Sequence, residues 1–163
     1  MKAIVYVSNT GHTAEYARML GRVTGLAVLE LSEAEKTLEK GSEIIYMGWL
    51  FAGSIKGYKK AAKRYRISMV CGVGLGDTGS QTDTVRKAAG IPEGTPLFTL
   101  QGGISRSELR GINKFMINML TKVMSAKKEP TEDDKRMVYL LTHDENYVSE
   151  EHLTQVIDWY RSR

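Results

Sequence analysis

The chain has 163 residues, 42% of them hydrophobic and 26% charged, with one cysteine and a net charge of +4. That length suits a single domain, here 1–163, large enough to bury a core. No apolar run approaches the ~20 residues of a membrane span. A single Cys71 excludes an internal disulfide and a multi-cysteine metal site, so no metal is expected. Only five apolar residues stand between Lys2 and Ser8, which reads as no signal peptide and a cytoplasmic setting.

Ala3–Val7 is a short apolar run rich in β-branched residues and predicts a buried strand. Thr13–Val23 has helical spacing and stops at Gly25. Ala27–Leu31 reads as a second strand, Ser32–Lys40 as a charged helical turn, and Glu43–Gly48 as a third strand. Ser54–Arg64 reads as a basic helix. Ile67–Val73 is a fourth strand, with Cys71 a buried and inert thiol inside it. Thr82–Ala89 is a helix ended by Gly90, and Pro96–Gln101 a fifth strand. A Met-rich helix is expected over Ser107–Met124, then a polar loop over Lys127–Arg136 and a short extra strand at Met137–Leu141. Val148–Tyr160 closes the chain as a helix. Continuous apolar strands alternating with helices predict an α/β fold. The expected architecture is a doubly wound five-stranded parallel sheet of order 2-1-3-4-5, with an insertion at 105–147 after strand five.

Ligands of such sheets bind at the carboxyl ends of the strands. Four corners fall there. Ser8-Asn9-Thr10-Gly11-His12-Thr13 follows strand one, and Trp49-Leu50-Phe51-Ala52-Gly53 follows strand three. Gly74-Leu75-Gly76-Asp77-Thr78-Gly79 follows strand four, and Gln101-Gly102-Gly103 strand five. The first corner feeds a helix N-terminus, a ready anion site. Three hydroxyls and Gly11 suit a phosphate held by neutral donors, because the loop has no Lys or Arg and no Walker ending. The plainer reading is a helix cap from Thr10 or Thr13. His12 is expected to face solvent. Trp49 either closes the core or stacks on a ligand ring. Gly-x-Gly-x-x-Gly at 74–79 also fits a dinucleotide loop, but it follows the fourth strand and no acid ends the next one. Asp77 is expected to cap a helix or turn.

Ser8-x-Thr10-Gly11-x-Thr13 after the first strand resembles the FMN-phosphate loop of the flavodoxin-like family. The Trp after strand three and the Gly-x-Gly-Asp after strand four agree with it, over Met1–Gln101 and the last helix. The resemblance implies FMN as cofactor. By position, Ser8, Asn9, Thr10, Gly11, His12 and Thr13 would surround its phosphate. Trp49, Leu50, Phe51, Ala52 and Gly53 would line its ring. Gly74, Leu75, Gly76, Asp77 and Gly79 would offer backbone N–H groups to the pyrimidine edge. The fourth-strand loop lacks the second aromatic common in flavodoxins, so an open side of the ring is expected.

The chain departs from an acidic electron carrier in its charge. Lys56, Lys59, Lys60, Lys63, Arg64 and Arg66 fall within eleven residues without an acid. Arg106, Arg110, Lys114, Lys122, Lys127 and Lys128 form a second basic stretch. These are solvated faces, or docking sites for an acidic protein or a membrane surface. Nothing resembles a nucleic-acid module. The segment Ile104–Met124 resembles the basic, Phe-Met-Ile-containing segment of the bacterial flavodoxin-like protoporphyrinogen oxidases. Phe115, Met116, Met119 and Leu120 either pack the core beside strand five or form a lid or docking face. Two functions stay open. One is an FMN oxidoreductase passing electrons from a reduced donor to a quinone-like or other small-molecule acceptor. The other is a non-enzymatic electron-transfer flavodoxin docking to a redox protein partner.

Overall fold

A computed structural model describes residues 1–163. Five parallel strands form its centre: β1 (Ala3–Val7), β2 (Ala27–Glu30), β3 (Glu43–Phe51), β5 (Arg66–Gly74) and β6 (Leu97–Gln101). Their spatial order is β2-β1-β3-β5-β6. Counting parallel strands alone, this is 2-1-3-4-5, the doubly wound flavodoxin-like arrangement. Side chains alternate across the sheet, so each strand feeds two cores. Val5, Tyr46 and Val70 pack on one face with α2 (Leu31–Thr37), α3 (Tyr58–Ala62) and α4 (Thr82–Ala89). Ile4, Ile45 and Met69 pack on the other with α1 (His12–Thr24) and α7 (Thr154–Arg161). A register shift between Ile44 and Ile45 leaves Ser68 without a partner and keeps both alternations facing the right way. Cys71 is fully buried, and that burial pushes its thiol up to about 12.

Several expected elements differ. The basic helix at Ser54–Arg64 is instead a two-residue strand, β4 (Ser54–Ile55), folded back on β3, followed by the short α3. The turn between β3 and β4 is Ala52-Gly53, with φ of 49° and 76°. Two successive positive-φ residues make the tight hairpin that a helical start would forbid. The expected polar loop holds only over Lys127–Thr131. Its second half, Glu132–Arg136, and the expected strand Met137–Leu141 both belong to α6 (Glu132–Thr142), started by a reciprocal capping box between Thr131 and Asp134. Met137, Leu140 and Leu141 sit at helical spacing there. The closing helix is shorter than expected: a 3-10 turn at Glu151–Leu153 precedes α7.

The insertion leaves the sheet through a clasp. β7 (Gly103–Ile104) pairs antiparallel with β8 (Glu145–Asn146). Between them a 3-10 turn at Arg106–Glu108, α5 (Gly111–Ser125) and α6 form a helical hairpin. Its own small core joins Ile104, Leu109, Ile117 and Leu141, with Phe51 of β3 and Leu75 packed against it. The hairpin is thus seated over the carboxyl ends of the strands.

Candidate functional site

Ser8 shapes the first corner. Its hydroxyl accepts the amides of Gly11 (3.2 Å) and Ala14 (3.4 Å), so Ser8, not Thr10 or Thr13, caps the first turn of α1. Gly11 has φ of 97°, a backbone conformation costly to any residue with a Cβ. The Asn9 and Thr10 amides have no acceptor within the protein. The first-turn amides of His12 and Thr13 have none within the helix. Four amides around the start of α1 are therefore left without a protein acceptor, beside the positive end of the helix dipole.

His12 does not face solvent: it is 6% exposed. Its Nδ1 lies 3.2 Å from the Thr10 hydroxyl, which also accepts the Ser105 amide at 3.3 Å. The loop is therefore stitched to the insertion through Thr10 and His12. Burial lowers the His12 pKa, against the pull of Glu15, Glu108 and the Glu145 carbonyl. The ring is neutral near pH 7, and its Nδ1 shares a hydrogen bond with the Thr10 hydroxyl.

A cavity of about 280 Å³ joins the corners. Ser8, Asn9, Thr10, His12 and Thr13 line one end. Trp49, Leu50, Phe51, Ala52 and Gly53 line a side, and Gly74, Leu75 and Gly76 another. Trp49 is buried at the end of β3 and edge-on to Phe51, with centroids 6.0 Å apart, so it both closes the core and borders the cavity. Lys56 Nζ stands 5.4 Å from the Trp49 ring centre and 5.3 Å from that of Phe51. That is cation–π distance.

Three expected residues stay off the cavity lining. Gly11 turns the loop behind it. Gly79 sends its amide to the Thr99 carbonyl at 2.9 Å, because the turn is anchored on β6. The Asp77 side chain caps nothing; it takes Arg136 of α6 in a two-pronged ion pair at 2.6 and 2.9 Å. Only its carbonyl serves the turn, accepting from Ser80.

The insertion also walls the cavity. Ile117, Leu120 and Met124 of α5 with Met137 and Leu141 of α6 line the cavity opposite the sheet. Gly103 of the fourth corner joins the lining, and Val73, Gln81 and Ile104, outside the expected corners, complete it. The Met-rich spacing of α5 signalled an apolar face; nothing in the sequence said what that face covers. Asn113 of α5 donates to the Asn9 side chain at 3.0 Å, a second tie between roof and first corner. One charge opposes an anion: a Cβ on Gly11 would stand 3.9 Å from the Glu108 carboxylate.

The basic stretches are partly spent inside the fold. Lys60 pairs with Glu35, Arg66 with Glu43 and Lys127 with Asp134. Arg64 donates to the carbonyls of Glu35 and Leu38 at the end of α2. Arg106 donates to the Leu141 carbonyl and the Asn118 side chain. No cluster of three potential metal-binding side chains occurs, and no helix is long and apolar enough to cross a membrane. No protein-family model, curated protein or solved structure matches the chain.

Proposed function

We propose that the protein binds FMN and moves electrons from a reduced donor to a quinone-like or other small-molecule acceptor. The observation that carries the reading is the cavity itself. It runs from the free amides of the Ser8–Thr13 loop to the aromatic and glycine-lined corners after β3 and β5. The residues suit the group: neutral donors for a phosphate at one end, and an aromatic, backbone-rich slot for a ring at the other. FMN, when bound, supplies the electron chemistry. The chain's own part is to hold the phosphate, shape the ring slot and exclude water with the aliphatic roof.

Glu108 must turn away from Gly11 for a phosphate to settle, and it is exposed and free to do so. The roof favours a small-molecule acceptor over a purely protein-facing carrier. An apolar wall of Leu120, Met124 and Met137 offers contact area to an apolar ring system and little to a docking protein. The reading includes a cytoplasmic setting, with contact to an acidic protein or membrane surface through basic helices. Reconstitution with FMN tests it. The expected product is a yellow protein that reduces a soluble quinone. A protein that stays colourless with FMN in excess ends the proposal. A yellow protein without quinone turnover leaves the electron carrier instead.

A further inference from the structure

α5 carries more apolar surface than its own fold uses. At ~100° per residue, Ile117, Leu120 and Met124 share the arc that faces the cavity. Ile112, Phe115, Met119 and Val123 recur at i, i+3, i+7 and i+11 and share a different arc. They are 70%, 59%, 52% and 62% exposed. Four large apolar side chains in one uncovered line cannot be dismissed as scattered surface hydrophobics. The polar side of the helix carries Lys114, Asn118, Thr121 and Lys122, and Lys128 follows its end. Lys114, Lys122 and Lys128 take part in no ion pair, whereas other basic residues nearby do.

We propose that this outer face of α5 docks on an anionic lipid bilayer. An apolar line edged by unpaired lysines is the pattern of a helix lying in the interface, apolar chains inserted and ammonium groups among the headgroups. A second copy would bring like-charged lysines together along the same seam. The chain's net charge of +4 also favours an anionic surface. The consequence for the site is geometric. The helix that roofs the cavity with one arc lies on the bilayer with the other, so an apolar molecule dissolved in lipid meets the roof directly.

The inference does not require FMN, and vesicle binding is expected of colourless and yellow protein alike. The test is sedimentation of the full chain with vesicles of phosphatidylcholine alone and of equal phosphatidylcholine and phosphatidylglycerol. Binding is expected only to the anionic vesicles, weakening in ~0.5 M salt. Phe115→Ser with Met119→Ser should abolish it. Lys114→Glu with Lys122→Glu should weaken it by about fivefold per lysine or more. Lys59→Glu with Lys63→Glu makes the same charge change on the exposed α3 side and should weaken it far less.

All these side chains are exposed, so circular dichroism should report unchanged folding. Absence of binding to anionic vesicles overturns the proposal. So does equal loss from both lysine pairs, which would mean diffuse charge attraction. A Phe115-dependent dimer in solution that ignores vesicles would assign the face to a second copy and also overturn it.

Discussion

Arg136 and Asp77, 59 residues apart, hold each other through two hydrogen bonds of 2.6 and 2.9 Å. The pair ties α6 to the loop after β5 and so fastens one edge of the roof. Asn113 and Asn9 fasten another edge to the first corner. Both ends of the Asp77–Arg136 pair are about half exposed, so its effect on global stability is small. Its effect on local opening is the expected one. Arg136→Ala should speed amide hydrogen exchange in α6 severalfold while the midpoint of global unfolding barely moves. Arg136 holds the Asp77 carboxyl below its usual value of 3.8. The tie therefore persists above that value and is lost as pH falls through the lowered one.

His12 sets a second pH dependence, of defined sign. Burial depresses its pKa below 6.5, so the unfolded chain binds a proton at a pH where the folded one does not. Its contribution to stability is therefore full above pH 6.5 and declines as pH falls toward the depressed value. Urea unfolding across pH 5 to 8 should show the decline, and His12→Gln should flatten it.

Ser8 serves the fold before it serves any ligand. With two amides resting on its hydroxyl, Ser8→Ala should cost about 1 kcal/mol of stability with no FMN present. FMN affinity should fall as well, by about tenfold for one lost phosphate contact. Chemical denaturation and FMN titration read the two effects separately. An unchanged midpoint would remove the capping role.

Tyr16 is fully buried and donates to the Gln101 carbonyl at 2.6 Å. Its hydroxyl also meets His152 Nδ1 at 2.8 Å. Burial pushes the phenol up to about 12, so it remains a donor at every ordinary pH. Tyr16→Phe strands a buried carbonyl at the end of β6 and should cost ~1–3 kcal/mol. Guanidinium unfolding measures that directly.

Gly53 occupies the tip of the β3–β4 hairpin with φ of 76°. A Val there is strained by ~1–2 kcal/mol, and a Cβ would also stand 3.1 Å from Ala88. If the hairpin backbone answers to the charge of a reduced flavin, Gly53→Val should also shift the flavin potential. An unchanged potential in a folded, FMN-loaded variant would remove that role.

The fold was legible where period and punctuation agreed. Ala3–Val7 and Thr82–Ala89 have the bounds their patterns imply. β3 runs three residues past its expected end at Gly48, through Trp49, Leu50 and Phe51, because β4 returns to pair with it. That pairing depends on a turn whose first residue, Ala52, has no sequence signature for a positive φ. The error at α6 has another origin. Glu132, Asp133 and Asp134 read as a solvated loop by composition, yet acids in a first turn behind a capping box are what a helix N-terminus favours.

By itself, the sequence determined the strands of the sheet, the hydroxyl-rich corner and the apolar face of α5, since each depends on neighbours along the chain. The strand order followed from the doubly wound rule for alternating strands and helices. Only the tertiary structure decided that His12 is buried, that Asp77 belongs to Arg136, and that Ile117, Leu120 and Met124 face a cavity while Phe115 and Met119 face outward. Those outcomes depend on contacts between distant parts of the chain, such as Ser105 with Thr10, 95 residues apart, and Arg136 with Asp77, 59 residues apart. Helical spacing says which residues share an arc; it does not say which arc another part of the chain will cover.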